Sequence, residues 1–247
     1  GGAAGPQFGT DGSAFALARM LGHSVAEPYP CLVPLRCAGF PVGLKGVRAN
    51  CALSLYLDGR CAGTERGEVQ FAEYGLSGIP AMQLSCLLGP GVKKAGTSVD
   101  FFPEMAFPVL RGMLEQRCAS GMFASLETLL LGLVAKKLGH AILKSCGLQP
   151  LSRAPGSLSR REVNALAGAL KNWRFAVEGT LPWTQAQVTG GGVPLAEVKT
   201  EGCASLRCPG LYLSGEVLDA AGDCGGFNLQ WAWATGIAAG RAAARGL

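Results

Sequence analysis

The chain has 247 residues, of which 49% are hydrophobic and 16% charged, and its net charge is +5. This composition suffices for one large folded domain or for two to three small ones. No apolar run approaches the ~20 residues that span a bilayer, and the glycine-rich start lacks the basic and apolar regions of a secretory signal, so we expect a cytoplasmic protein without a membrane partner.

The first 95 residues predict one helix followed by strands. Thr10 or Asp11 can cap a helix over about 11–21, and Gly22 stands where such a helix would end. From Glu27 to about Ala95, short alternating runs are separated by prolines and glycines, which is typical of four or more strands. Asp58-Gly59 is a favoured hairpin turn. We therefore predict a small sheet or barrel in this region.

The second half predicts a helical unit and then a return to strands. Segments within 100–171 carry apolar residues at spacings of three and four, and Ser159 with Glu162 forms a capping-box signature. The run WRFAVEGTL predicts a strand, and TQAQVTGGGVPLAEV predicts two strands around a glycine turn. LYLSGE predicts a last strand, which is followed by a helix from about Phe227.

Several common reaction motifs are missing from the sequence. It contains no G-x-S-x-G, no G-x-G-x-x-G and no P-loop, because Thr97 stands where a P-loop needs lysine. His23 is predicted to cap a helix end and His140 to be structural, so a hydrolase triad is disfavoured. No C-x-x-C occurs among the ten cysteines, so we predict no metal site and interpret most cysteines as small buried apolar residues.

The lysines and arginines that make the chain basic are not concentrated in one segment of the sequence. Lys93-Lys94, Lys136-Lys137 and Arg160-Arg161 are separated doublets without interleaved aromatic residues. Such doublets are typical of a solvated surface. Nucleic acid is therefore the less favoured partner, and a small molecule the favoured one.

The segment near the C-terminus carries the strongest chemical signal. Glu216 ends the LYLSGE run, where its carboxylate could accept hydrogen bonds from polyol hydroxyls. Gly225 and Gly226 precede the last helix, so free backbone N–H groups would face a diphosphate or a flavin oxygen. The alternative, that these glycines serve only turns and packing, stays open on the residues alone.

The segment GLYLSGEVLDAAGDCGGFNLQWAWATGIAAG closely resembles the C-terminal signature of the BaiN-like flavoproteins, also described as the aminoacetone-oxidase family of NAD(P)/FAD-dependent oxidoreductases. GGAAGPQFGTDGSAFALARMLGH, PYPCLVPL, FAEYGLSGIPAMQLS and AQVTGGGVPLAEV match in the same order. The resemblance implies an α+β or α/β fold: an incomplete Rossmann-like FAD domain with an inserted β-barrel-like domain that carries a helical subdomain. The implied boundaries are 1–26 and 184–247 for the FAD domain, 27–99 and 172–183 for the barrel, and 100–171 for the helices.

The resemblance also implies the cofactor contacts. Gly215 and Glu216 would address the flavin ribityl and diphosphate region, and Gly225, Gly226 and Asn228 would lie against the flavin. Gly191 and Gly192 would form a turn near the isoalloxazine ring. The cofactor would be FAD, with NAD(P)H as a co-substrate.

The sequence departs from the family in three places. The first strand, G-x-G-x-x-G turn and helix are missing, which predicts that the chain is a C-terminal fragment of a longer enzyme. Ala4 stands in place of a common serine, and GCASL leaves only Ser205 of a longer polar run. We expect the flavin contacts made by those residues to be altered or lost.

The predicted activity is hydride transfer between the flavin and a small organic substrate, either ketone or enone reduction or amine oxidation. Glu73 and Tyr74 are candidates for the substrate wall, with a structural strand end as their alternative role. The sequence identifies no catalytic acid or base. Two other interpretations stay open: a basic binding module without turnover, and an inactive fragment.

Overall fold

The computed structural model describes residues 1–246. The α-helices are α1 (Ser13–Met20), α2 (Ile79–Ser85), α3 (Phe107–Ala119), α4 (Leu126–Leu129), α5 (Lys136–Ser145), α6 (Arg160–Lys171) and α7 (Phe227–Arg245). The strands are β1 (Ala26–Cys31), β2 (Leu35–Cys37), β3 (Val47–Leu57), β4 (Arg60–Phe71), β5 (Gly75–Ser77), β6 (Ala95–Asp100), β7 (Trp173–Thr180) and β8 (Val188–Gly192). No helix in this part of the chain has the length and apolar character needed to cross a membrane.

The chain divides into two compact units. Unit 1 contains 1–34, 82–92 and the residues from Thr180 onward, and unit 2 contains 35–81 and 93–179. The domain boundaries given by the sequence stay predictions. The two compact units do not follow the predicted domain boundaries everywhere. Residues 27–34 and 82–92, which were predicted to belong to the barrel, group with the terminal segments.

Unit 2 contains a closed barrel with the strand order β2-β5-β4-β3-β6-β7, which confirms the predicted barrel. Strands β3 and β4 form its long hairpin, and the turn between them is Asp58-Gly59, as predicted, with both φ angles positive. The barrel core includes Phe71, Trp173 and Phe175, and the Trp173 ring contacts both phenylalanine rings because alternate residues of each strand point inward.

Four helices, α3 to α6, lie between β6 and β7. The predicted capping box at the start of α6 is present: Glu162 N–H donates to Ser159 Oγ, and Ser159 N–H donates to a Glu162 carboxylate oxygen. The apolar run after Ser125 is not one helix, because the chain turns at Gly132 with a φ of 79° and so separates α4 from α5.

Unit 1 is built from α1, α7 and the antiparallel pair β1-β8. Its core includes Phe15, Val193 and Leu218. Helix α1 confirms the predicted first helix. The prediction of a strand over LYLSGE is wrong: a single isolated bridge forms there, at Tyr212, and Gly215 takes a φ of 70°, which ends an extended chain.

The sequence prediction for TQAQVTGGGVPLAEV is also wrong in its second half. Gly191 and Gly192 lie inside β8 rather than in a turn, and a 3-10 helix, Leu195–Glu197, follows instead of another strand. Added Cβ atoms would stand 2.4 Å from the Glu27 carbonyl oxygen and 2.7 Å from that of Val217, respectively. The glycines are therefore needed for close backbone packing.

Candidate functional site

A cavity of about 330 Å³ lies at the start of α7 in unit 1 and is called the α7 pocket here. Its wall is formed by three parts of the chain: Leu32 after β1, Val188 in β8, and the segment that carries Glu216 and the glycines before α7. The pocket therefore brings together four of the residues predicted from the sequence, Glu216, Gly225, Gly226 and Asn228.

The glycine segment leaves backbone donors at the pocket. Gly225 and Gly226 have φ angles of 122° and 94°, which disfavour other residues, and α7 begins without a side-chain cap. A Cβ added at Gly226 would meet no atom within 4 Å, so this position faces open space. The unpaired N–H groups of a first helical turn attract anions and carbonyl oxygens.

Asn228 holds this segment in place. Its Oδ1 accepts the N–H of Gly222 at 2.8 Å, and its Nδ2 donates to the carbonyl oxygens of Gly222 at 2.8 Å and Asp223 at 3.3 Å. The side chain lines the α7 pocket, but its hydrogen-bonding atoms are committed to the backbone. The geometry makes Asn228 a residue that positions the glycines.

Glu216 supplies the acidic side of the α7 pocket. It lies in a 3-10 helix, Gly215–Val217, and is half-buried. Burial raises the pKa of its carboxyl group, and a hydrogen bond from the Thr189 hydroxyl partly offsets that rise. The Thr189 Oγ1 in turn accepts the N–H groups of Ala3 and Ala4 at 2.8 and 3.0 Å. The carboxylate is thus oriented, and it retains capacity for further donors.

Three of the predicted residues lie outside the α7 pocket. Gly215 packs against α7, where its N–H donates to Thr235 Oγ1 at 2.9 Å and its carbonyl oxygen accepts the Trp231 Nε1–H at 3.3 Å. Gly191 and Gly192 are buried in β8 as described above. Their cofactor roles stay predictions, and the structure brings only the other four residues to one cavity.

A second polar cluster in unit 1 has the connectivity of a hydrolase triad. His23 Nδ1 lies 2.8 Å from Glu197 Oε2, and His23 Nε2 lies 2.7 Å from Ser205 Oγ. The prediction that His23 is a helix cap is therefore wrong, because its imidazole is buried between two side chains from later in the chain. We call these residues, with Ser24 and Arg207, the His23 network.

The His23 network is saturated with hydrogen bonds. Ser205 Oγ accepts the N–H groups of Arg207 and Cys208 at 3.0 and 2.8 Å. The hydrogen bond from the Ser24 hydroxyl is the largest cause that lowers the pKa of Glu197 to about 2, with His23 contributing further. Neither His23 nor Glu197 nor Ser205 lines either of the two cavities beside α7. The cluster therefore joins segments of unit 1 and contributes to neither of these two cavities.

The other cavity beside α7 also measures about 330 Å³. Its lining is mostly apolar and includes Leu195, Val198, Leu218 and Trp231. It lacks a carboxylate and the start of a helix, so it has fewer groups that could orient a polar cofactor. The α7 pocket is the better candidate.

Unit 2 holds the two residues predicted as substrate wall. Glu73 is exposed, and its carboxylate lies 3.6 Å from Lys45 Nζ. The carbonyl oxygen of Tyr74 accepts the Cys37 N–H at 2.8 Å, which fits the structural alternative of a strand end. A role for either residue with substrate stays a prediction.

Two residues important for the site were missed in the sequence. A Cβ at Gly2 would stand 2.1 Å from Glu216 Oε2, so the carboxylate fits only against a glycine. Thr189 orients that carboxylate from the strand before Gly190. Their signals were the initial Gly-Gly and the VTGGG run. The contacts themselves have no local pattern, because the N–H of Ala3, next to Gly2, meets Thr189 across 186 residues of sequence.

Residues 1–242 match the family model described as the HI0933-like protein Rossmann domain. The chain belongs to this family. It is a family of flavin oxidoreductases, which confirms the resemblance and fold class predicted from the sequence.

Named relatives support this assignment. The chain is 37% identical, over 99% of its length and 60% of the relative, to the 3-dehydro-bile acid delta(4,6)-reductase of Clostridium scindens. It is 27% and 28% identical to the ribosomal RNA dihydrouridine synthases of Haemophilus influenzae and Escherichia coli, over 96% and 95% of this chain and 57% of each relative. The chain thus spans about 60% of the length of these relatives.

Proposed function

We propose that the chain is part of an FAD-dependent oxidoreductase that reduces a carbon–carbon double bond conjugated to a carbonyl group, with NAD(P)H as electron donor, in the cytoplasm. The observation that carries the proposal is the α7 pocket, in which a desolvated carboxylate faces an uncapped helix start. FAD would supply the hydride of the reaction when bound.

The residues of the α7 pocket fit a flavin. Glu216 can accept hydrogen bonds from ribityl hydroxyls, and the N–H groups at the start of α7 can donate to a flavin carbonyl oxygen or a phosphate. A volume of about 330 Å³ is near the lower limit for ligand sites, so this pocket would hold one part of FAD. The helix start would also stabilise negative charge that develops on a bound ring.

The choice of reaction follows from the names of the relatives. A 3-dehydro bile acid with double bonds at positions 4 and 6 is a dienone, and formation of dihydrouridine saturates the uracil double bond next to a carbonyl group. Both substrates accept hydride at a carbon conjugated to that carbonyl. This common chemistry favours enone reduction over the amine oxidation that the sequence also allowed.

The substrate class is a proposal of its own. The 37% identity to the bile-acid reductase, against 27–28% to the RNA-modifying relatives, favours a small apolar enone. A nucleic-acid substrate is the second candidate. It is supported by an open depression of about 680 Å³ in unit 2, where Lys137, His140 and Lys144 line one side.

The proposal is tested with the full-length gene product. After anaerobic reduction by NADPH or NADH, the flavin absorbance should return when a steroid dienone is added, and one double bond of the steroid should be lost. The matched saturated ketone should leave the flavin reduced. Reduction of the oxidised flavin by an amine, followed by reoxidation by dioxygen but not by the dienone, would contradict the proposal. RNA binding that falls steeply with salt would favour the second substrate class.

A further inference from the structure

Three cysteines from separate parts of unit 1 meet beside the α7 pocket, and one of them, Cys224, lines it. Cys31 ends β1 and is fully buried, Cys86 follows α2, and Cys224 lies in the segment before α7. They pack in one cluster with Leu32 and Val188, both of which line the α7 pocket. All three thiols are free.

Two of these thiols, Cys31 and Cys86, are hydrogen-bonded to each other. The Cys86 sulfur also accepts the Leu32 N–H at 3.4 Å and lies 3.8 Å from the Met82 carbonyl oxygen. The bond from Cys31 is the largest cause that lowers the pKa of Cys86 to about 7, while the same bond and burial raise the pKa of Cys31. One sulfur is thus favoured as thiolate and its neighbour as thiol, an arrangement that promotes dithiol oxidation.

The surroundings allow an oxidant to reach the pair from one side. Cys86 is half-buried, whereas Cys31 has no exposed surface. Leu32, between Cys31 and the α7 pocket, holds a φ of 46°, and its N–H is held by the Cys86 sulfur. Any change at that sulfur therefore acts on a residue of the cavity wall.

We propose that Cys31 and Cys86 form a redox-active pair that hydrogen peroxide converts to a disulfide. The Cys86 thiolate attacks one peroxide oxygen, so that an S–O bond forms, the O–O bond breaks, and the departing hydroxide takes a proton to become water. The Cys31 sulfur then attacks the Cys86 sulfenic acid, which forms the S–S bond and breaks the S–O bond. The released oxygen leaves as a second water with the Cys31 proton. Two thiols lose two electrons, and one peroxide gains them.

The test treats the full-length gene product with equimolar hydrogen peroxide at pH 7, followed by alkylation and mass spectrometry of peptides without reduction. We expect a peptide pair linked through Cys31 and Cys86 that dithiothreitol separates. In Cys31→Ser the sulfenic acid at Cys86 should accumulate and be trapped by dimedone, because its partner thiol is gone. The Cys86→Ser variant should form neither product, and Cys61→Ser, at an exposed thiol of unit 2, should behave as wild type.

The rate of labelling gives a second, independent measurement. In Cys31→Ser, where no disulfide partner consumes the sulfenic acid, Cys86 should react with dimedone after peroxide at least about tenfold faster than Cys118 or Cys146, whose pKa values are raised by burial. Equal rates at these sites, or a disulfide that joins Cys86 to Cys224 instead of Cys31, would overturn the proposal. Circular dichroism checks that each variant is folded, and Cys31→Ala serves if Cys31→Ser is not.

Discussion

Unit 1 contains two half-buried or buried glutamates whose surroundings differ sharply. Glu197 lies in the His23 network, where Ser24, His23 and Arg207 all face its carboxylate and lower its pKa to about 2. Glu216 lies in the α7 pocket, where burial raises its pKa and Thr189 is the side-chain partner that orients it. The first carboxylate is saturated, and the second has capacity left for a ligand.

The difference teaches how to separate a structural cluster from a binding site. The His23 network has the atom order of a catalytic triad, but its serine oxygen is occupied by backbone donors, and it lines neither cavity beside α7. The α7 pocket has no such familiar motif, yet it combines open space, an uncapped helix and a desolvated acid. Unsatisfied groups beside a cavity are the more informative signal.

The largest effect is expected from filling the α7 pocket. Gly226→Asn keeps a residue that tolerates positive φ but places a side chain where no atom lies within 4 Å. FAD affinity of the full-length gene product, measured by fluorescence titration, should fall about 100-fold or more.

The matched control for that variant is Gly210→Asn. Gly210 has a φ of 81°, and a Cβ there also meets no atom within 4 Å, but it does not line the α7 pocket. This variant should bind FAD as wild type does. Equal losses in both variants would mean that backbone strain, and not the cavity, controls binding.

The next effect concerns stability. His23→Ala should lower the free energy of unfolding by about 2–4 kcal/mol, because it leaves buried partners on Glu197 and Ser205 unpaired. Thermal denaturation followed by circular dichroism measures the change. FAD affinity of the folded variant should remain at the wild-type value, and a loss of binding with unchanged stability would place His23 in the cofactor site instead.

The smallest effect is a dependence of stability on pH. The folded-state pKa of Glu197 is depressed from 4.5 to about 2, so its contribution is present above pH 4.5 and is lost as the pH falls toward 2. The difference in melting temperature between wild type and Glu197→Gln should therefore shrink between pH 5 and pH 2.5.

Glu162, whose pKa is also about 2, is present in both of these proteins and cancels from the comparison. Glu162→Gln removes the corresponding low-pKa carboxylate from unit 2 and can serve as the matched variant there. A melting-temperature difference for Glu197→Gln that stays constant with pH would show that the carboxylate of Glu197 carries no such linkage.

Local patterns predicted much of the fold. The Asp58-Gly59 turn, the capping box of Ser159 and Glu162, and the alternation within the barrel strands are each set by neighbours in sequence, and each is present. The break at Gly132 was missed, because apolar spacing continues across it. Periodicity reports which residues are buried, but it does not report where the backbone turns.

Contacts between distant segments explain what the sequence did not predict. The contact of His23 with Glu197 spans 174 residues, and the cluster of Cys31, Cys86 and Cys224 joins three segments. Gly191 appeared to be a turn residue because close backbone packing and turns both require glycine. The local pattern before the last helix indicated Glu216, Gly225 and Gly226, whereas Asn228 was found only through the family resemblance.

The most direct test of the account compares the two glutamates. Glu216→Ala and Glu197→Ala are made in the full-length gene product, and bound flavin is measured by the ratio of visible flavin absorbance to protein absorbance, together with the melting temperature. The account predicts that Glu216→Ala loses flavin while its apoprotein melts as the wild-type apoprotein does, and that Glu197→Ala keeps flavin but melts at a lower temperature. Retention of flavin by Glu216→Ala at the wild-type level would contradict the assignment of the α7 pocket.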